Sequence, residues 1–419
     1  MNCAYNIHVL VQDWARSVVS QPQDLAIECT AALLSLSTGW DRNTQSQEYK
    51  CKLAPHVSSV LKHSPHVGPS HADRFAVVYQ EAGQWRLAKG LAEESVEVCR
   101  KVHGQEHEYT LSRISRLAQV YCSLGRIDEA RELEVRVLEA YRRLLGEEHP
   151  YTLTSMNNLA RSYSDLGRLD EAKELEVRVL EARRRLLGEE HPDTLMSMNN
   201  LAYTYSALGR TDEAMELFVR VLEAHRRLLG EEHPHTLTSM ANLASTYSDL
   251  GRTDEAKELK VRVLEARRRL LGEEHPDTLR SMGNLASTYS DLGRLDEAKE
   301  LEVRVLEARR RLLGEEHPHT LTSMANLAST YSDLGRTDEA KELKVRVLEA
   351  RRRLLGEEHP DTLRSMNNLA GTYSALGRFR EAEELCHAAI SGAERVLGNN
   401  HPHTCLYRNN LEKHQVQGT

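Results

Sequence analysis

The phrase LGEEHP begins at Leu145, Leu187, Leu229, Leu271, Leu313 and Leu355, and returns as LGNNHP at Leu397. Each recurrence falls 42 residues after the one before. A fixed period of this length means that every unit is one supersecondary module, able to bury its apolar face only against its neighbours. A chain built this way presents a long surface of equivalent units. A catalytic constellation needs one asymmetric pocket, so binding comes before catalysis among the functions to consider.

One unit, Tyr151 to Pro192, shows what each module is. Leu153, Met156, Leu159, Ala160, Tyr163 and Leu166 recur at helical spacing and predict an amphipathic helix. Gly167 supplies a C-terminal stop, and Asp170 and Glu171 suit the positive start of a second helix. That helix places Ala172, Leu175, Val179, Ala182 and Leu186 on one side and stops at Gly188. His191-Pro192 then leads into the next unit, with proline at or near the first helical position. The module is a helix-turn-helix hairpin. His149, His191, His233, His275, His317 and His359 are expected to cap helices or close turns.

The pattern residues are Leu159, Ala160, Tyr163, Gly167 and Ala172, matched by Leu117, Ala118, Tyr121, Gly125 and Ala130 before and by Leu369, Ala370, Tyr373, Gly377 and Ala382 later. This resembles the tetratricopeptide repeat (TPR), in which small residues let two helices approach and the tyrosine fills the gap. The longer period and the NNLA and LGxxHPxT phrases are similar to the kinesin-light-chain subtype, over roughly residues 70–420. The resemblance implies an all-α fold, a right-handed superhelical solenoid of stacked hairpins. One departure stands out. Where the family often has an aromatic in the second helix, this chain has Glu134, Glu176, Phe218, Lys260, Glu302 and Lys344. A charge there is expected to snorkel outward and loosen the packing.

Phe75, Ala76, Tyr79, Gly83 and Ala88 mark a degenerate repeat at 69–108, and seven regular repeats fill 109–402. Tyr407–Leu411 opens a further first helix, so 403–419 reads as a capping helix and tail. Residues 1–68 carry no period. Ile7–Arg16, Leu25–Leu36 and Leu53–Leu61 resemble the segment after the NB-ARC module of fungal NLR-like (STAND) proteins; a generic helical cap is the alternative. No GxxxxGK[ST] loop occurs, so nucleotide hydrolysis is not expected. His233–Met282 recurs letter for letter at His317–Met366, which points to recent duplication.

Composition excludes several classes. Lys+Arg number 55 against Asp+Glu 63, intermixed, so no unbalanced basic stripe favours nucleic acid. No apolar run approaches the ~20 residues of a membrane span. The start lacks the basic and apolar regions of a secretion signal, and scattered cysteines without a CxxC pair fit a reducing, cytoplasmic setting. The RRR runs, such as Arg183–Arg185, are followed by GEE, so helix-end cations with nearby acids are favoured over an RNA or phospholipid stripe. His103–His107 spells HxxEH, but Gly104 falls in the inter-repeat turn; the HPH triplets lack further ligands. No metal or cofactor is expected, and no enzyme activity.

The candidate site is a ladder: Asn158, Asn200, Asn242, Asn284, Asn326, Asn368 and Asn410. The resemblance places first helices on the concave face, where a carboxamide's donor and acceptor can grip an extended peptide backbone. The alternative is that these asparagines only fix repeat packing. Three positions on, Arg161 and Tyr203 offer the more discriminating side chains, followed by Ser245, Ser287, Ser329 and Gly371. Asp165, Asp249, Asp291 and Asp333 add charge to the groove or are simply solvated. The expected function is a non-enzymatic scaffold for a protein or peptide ligand, in an NLR-like sensor arm or, alternatively, a kinesin-type cargo adaptor. The sequence leaves the oligomeric state open.

Overall fold

Each repeat begins where a histidine side chain takes over a backbone job. In the computed structural model, which describes residues 45–63 and 68–418, His149 is extended (φ −67°, ψ 141°) and its Nδ1 accepts the N–H of Tyr151 at 3.3 Å. That satisfies one of the helix's orphan donors. Pro150 follows at the first helical position, where a missing N–H costs nothing. The Thr152 hydroxyl donates to the Gly146 carbonyl at 2.7 Å and ties the new helix to the turn before it. The expected capping role of these histidines is what the structure has. The N-terminal stretches Ile7–Arg16 and Leu25–Leu36 lie outside the described residues.

The helix ends as its sequence dictates. Gly167 adopts φ +72°, a conformation that a Cβ disfavours, and the Arg168 N–H then reaches back to the Tyr163 carbonyl at 2.8 Å. Arg168 opens the second helix, stacking its guanidinium 4.5 Å over the Tyr163 ring while its Nε donates to Glu171 at 2.9 Å. The same arginine-on-tyrosine contact recurs in the later hairpins, through Arg378 on Tyr373.

Among the described residues these rules produce eighteen helices and no strand. Residues up to Leu124 form one compact unit and Gly125 onward a second. The first contains α1 (Gln45–His63), α2 (Pro69–Glu81), α3 (Trp85–His103) and α4 (Glu108–Ser123). In the α2–α3 hairpin, Phe75, Ala76, Tyr79 and Ala88 are buried. The second unit continues with α5 (Ile127–Leu145), α6 (Pro150–Asp165), α7 (Leu169–Leu187), α8 (Pro192–Ala207), α9 (Thr211–Leu229), α10 (Pro234–Asp249) and α11 (Thr253–Leu271). It closes with α12 (Pro276–Asp291), α13 (Leu295–Leu313), α14 (Pro318–Asp333), α15 (Thr337–Leu355), α16 (Pro360–Ala375), α17 (Phe379–Val396) and α18 (Pro402–Gly418).

The core is a chain of small clusters, each shared by consecutive hairpins. Leu153, Met156 and Leu159 of α6 meet Val179 and Ala182 of α7 and Leu138 of α5. Ala160 and Ala172 are fully buried where the two helices come closest. Each buried leucine contributes about 1.5–3 kcal/mol, collected only when a neighbour is present. Within the second unit the stack winds far enough to touch itself. A Cβ on Gly125 would lie 2.5 Å from Pro360 Cδ, and one on Gly167 2.9 Å from Pro402 Cδ.

One expectation is corrected. The charged residues in place of the family's aromatic do not snorkel outward. Glu134, Glu176, Lys260 and Glu302 are buried, between 1% and 7% exposed, and Lys344 is half-buried. Each finds a hydroxyl on the next first helix: Ser162 Oγ donates to Glu134 at 2.5 Å, and Lys260 Nζ donates to Thr288 Oγ1 at 2.6 Å. One hydroxyl supplied by every repeat makes burial tolerable, and the long stems fill the space an aromatic ring would take.

Candidate interaction surface of the first helices

A first helix displays one narrow face that its hairpin partner does not cover. On α6 it runs through Thr154, Asn158, Arg161 and Asp165, spaced four, three and four residues, which keeps them on one side of a helix. On α8 the same places hold Met196, Asn200, Tyr203 and Ala207; on α12 they hold Arg280, Asn284, Ser287 and Asp291. The ladder asparagines are half-buried at Asn158, Asn200 and Asn242, exposed at Asn284, Asn326 and Asn368, and half-buried at Asn410. Asn410 Nδ2 donates to Asn367 Oδ1 at 3.1 Å, a contact between first helices that serves packing. The carboxamides of Asn200, Asn242, Asn284, Asn326 and Asn368 have no hydrogen-bond partner among the described residues.

Side chains from alternate first helices converge on this side. The Arg280 guanidinium on α12 acts on the Tyr203 phenol on α8, across the intervening α10; burial raises the phenol's pKa and Arg280 lowers it. Tyr203 remains 53% exposed and packs edge-on to Phe218 at 5.3 Å, so it is both anchored and accessible.

The face is electrically graded along the helices. Arg280 in the first turns of α12 is near His319 at the start of α14 and Arg309 at the C-terminal end of α13, whose guanidinium donates to the His319 carbonyl at 3.0 Å and to Ser323 Oγ at 2.8 Å. Burial and then Arg280 bring Arg309 down to about 10, while burial, His317, Arg309 and Arg280 together bring His319 to about 4. At the opposite ends lie the exposed carboxylates Asp165, Asp249, Asp291 and Asp333. Although Asp165 reaches solvent, partial desolvation by its neighbours raises its pKa above the ordinary value, with Arg161 pulling it back. Arg280 and Arg364, four residues before their asparagines, were missed by the sequence reading. The spacing that links Asn158 to Arg161 extends back to them as well.

The remaining candidates fall elsewhere. Arg183 is buried and donates to Ser197 Oγ at 2.9 Å and to the Asp193 carbonyl at 3.0 Å; Arg184 pairs with Glu189 at 3.2 Å and Arg185 with Glu148 of the preceding turn. The RRR runs are thus spent on joining repeats. His103 ends α3 while His107 caps α4, accepting from the Tyr109 N–H at 3.2 Å, so HxxEH shares no helix. A cavity of about 320 Å³ lies away from the ladder, between Leu195, Met198 and Ala224, its mouth crossed by Arg220–Glu189 and Arg227–Glu190 pairs. No helix among the described residues is long and apolar enough to cross a membrane.

Sequence-family comparison matches the tetratricopeptide repeat at residues 70–143, 112–184 and 249–311, and again at 194–235, 320–361 and 362–403. Among solved structures, the chain is similar to a Podospora anserina protein with nearly identical TPR-like repeats, assigned as a kinesin light chain. The identity is 36%, covering 48% of this chain and 95% of that one, with a TM-score of 0.43. It is also similar to BtubC (BKLC) from P. vanneervenii, at 24% identity over 55% of this chain and 94% of that one, TM-score 0.43. The apo form of the quorum sensor NprR from B. thuringiensis shares the fold at 15% identity, over 83% and 97%, TM-score 0.53. No curated protein matches the chain.

Proposed function

This chain belongs to the tetratricopeptide repeat family, and on that premise we propose that it is a non-enzymatic scaffold gripping an extended peptide along its first helices. The observation that carries this reading is the set of unpartnered carboxamides on the face where Tyr203 and Arg280 converge. A primary amide left without an internal partner on an accessible face is an unused donor and acceptor pair. Repeated over the five successive hairpins from Asn200 to Asn368, it matches the regular N–H and C=O groups of an extended backbone whatever that backbone's side chains. Arg161, Tyr203 and Arg280 would then add selectivity. Affinity accumulates from several weak and equivalent contacts, each held at the high effective concentration set by the others.

The test begins with a peptide selected on the intact chain from a random library. Replacing Asn242, Asn284 and Asn326 together by Ala should weaken its binding at least tenfold, read by calorimetry, with the melting temperature nearly unchanged. Equal loss of binding and stability would assign the ladder to packing, and unchanged binding would move the site elsewhere. A cytoplasmic location and a role as the sensing or regulatory arm of an NLR-like system are the setting in which we place this scaffold. A second reading, a cargo adaptor of the kinesin-light-chain type, is favoured by the NNLA and LGxxHPxT phrases that the repeats carry. Capture of a kinesin heavy chain by the intact protein would select it.

A further inference from the structure

We propose that Arg280, Arg309 and His319 form a binding site for a phosphomonoester dianion on the first-helix face. The register of the repeats singles this joint out. Near the ends of α7, α11, α13 and α15, Arg183, Arg267, Arg309 and Arg351 each cross to the following first helix. Each donates through Nη1 to the carbonyl ten residues on and to the serine hydroxyl fourteen residues on, at 2.7–3.3 Å.

Two further places adjoin that guanidinium. One lies on the first helix of the same hairpin, four residues before the ladder asparagine; the other is the residue that supplies the carbonyl. Beside Arg183, Arg267 and Arg351 they hold a threonine and an aspartate: Thr154 and Asp193, Thr238 and Asp277, Thr322 and Asp361. The Thr238 hydroxyl accepts from Arg267 Nη2 at 3.2 Å, and each aspartate's charge favours the cation beside it. Beside Arg309 the same register places Arg280 and His319.

Arg309 has therefore lost a hydroxyl acceptor and a counter-charge and gained a second cation. Its three counterparts are between 3% and 5% exposed, whereas Arg309 is half-buried. Its Nε and Nη2 have no hydrogen-bond partner among the described residues, and no carboxylate there pairs with it. Asp277 holds Arg280 Nη2 at 2.7 Å, which leaves Arg280 Nε and Nη1 unused, and the exposed His319 ring makes no hydrogen bond among the described residues. Arg280 opposes the charge of Arg267 and Arg309 alike, while Asp277 supports Arg267. Three guanidiniums thus share one carboxylate, and the joint carries an excess of positive charge.

The excess and the free donors select the ligand. A phosphomonoester carries roughly −1.5 to −2 charge at pH 7 and three acceptor oxygens, and guanidinium forks match its geometry. A carboxylate, with a single charge, would leave one guanidinium uncompensated. The site shares a helix face with Asn284, and Arg280 also acts on the Tyr203 phenol. The identity of the natural ligand rests on the peptide-scaffold reading, under which the phosphoryl group is a phosphorylated side chain of the bound peptide; a free phosphomonoester is the other source.

Calorimetry on the intact chain at neutral pH tests the site with inorganic phosphate, acetate, and a short glycine–alanine peptide with or without a central phosphoserine. Wild type should bind phosphate about tenfold or more tighter than acetate. Arg280→Thr combined with His319→Asp installs the residues that the other three joints already carry. That variant should fold with an undiminished melting temperature yet bind phosphate about tenfold or more weakly, as should Arg309→Gln. Tighter binding of the phosphopeptide than of phosphate assigns the source to a peptide, and equal binding assigns it to a free phosphomonoester; either supports the site. The triple replacement of Asn242, Asn284 and Asn326 by Ala should keep phosphate binding, so the ladder can fail while the anion site stands. Wild type that prefers acetate or binds both alike, or a double variant that binds phosphate as well as wild type, would overturn the proposal. The double variant decides the matter should Arg309→Gln fail to fold.

Discussion

Glu176 makes the packing of ionisable groups between repeats measurable. Its carboxyl is 5% exposed, one oxygen has no hydrogen-bond partner, and its pKa is pushed up to about 7 by burial, against a smaller lowering by the Thr204 hydroxyl. In the unfolded chain the same group titrates near 4.5. Between those values the folded state holds a proton that the unfolded state has released, so stability falls as pH rises through this window. Below about pH 4.5 the cost is absent, and above about pH 7 it is fully present. At 1.36 kcal/mol per pH unit, the gap corresponds to about 3 kcal/mol. Glu176→Gln keeps the shape and the bond to Thr204 but cannot ionise. It should therefore be more stable than wild type by about 3 kcal/mol at pH 8 and about equal at pH 4.5. Urea unfolding followed by circular dichroism reads this as a midpoint shift of roughly 1 M or more at pH 8. The exposed pairs, such as Asp170 with Lys173, titrate identically in both proteins and drop out of the difference. A gain of the same size at both pH values, or none at pH 8, would refute the reasoning.

Two further outcomes are expected. Lys260→Glu should stay within about 2 kcal/mol of wild type at pH 5, because the neighbouring hydroxyls serve either charge, whereas Thr288→Val should cost about 1–3 kcal/mol by removing one of the two acceptors of a buried ammonium; urea unfolding of both variants checks the pair. Leu285→Ala should cost about 2–5 kcal/mol, since Leu285 is 4% exposed against Leu264, Leu279 and Met282, and unchanged denaturant unfolding would contradict its core placement.

The fold was legible in the sequence because one rule is restated in every repeat. A proline marks a first turn, a glycine at positive φ marks each stop, and the leucine, alanine and tyrosine places set the buried face. His149 shows what repetition adds: a lone histidine before proline says little, but six in register leave few tasks except capping. What the sequence did not carry was direction in three dimensions. Nothing in the letters says that Arg280 reaches Tyr203 two hairpins away, because that depends on the curvature accumulated by the stack. The seam between Gly167 and Pro402 was invisible for the same reason. It is a consequence of how many repeats make one winding, and no residue within a single repeat encodes that number.

The burial of Glu134, Glu176, Lys260 and Glu302 shows why near-identical repeats can still differ inside. An aromatic at this place would demand an apolar socket, and a fixed ion pair would demand an opposite charge on the next unit. The chain uses neither at these places. It keeps Ser162, Thr204, Thr246, Thr288, Thr330 and Thr372 at the facing position, and a hydroxyl both donates and accepts. A carboxyl at one interface and an ammonium at another can therefore meet the same partner, as Glu134 meets Ser162 and Lys260 meets Thr288. Swapping, deleting or duplicating a unit then never leaves a buried charge facing its own sign across the joint. A block as long as His233–Met282 can be copied to His317–Met366 without re-fitting its new neighbours. The cost is a desolvated ionisable group at most joints; where Phe218 stands, facing Thr246, the place keeps an aromatic ring. The benefit is an array whose length can change while its interfaces remain compatible.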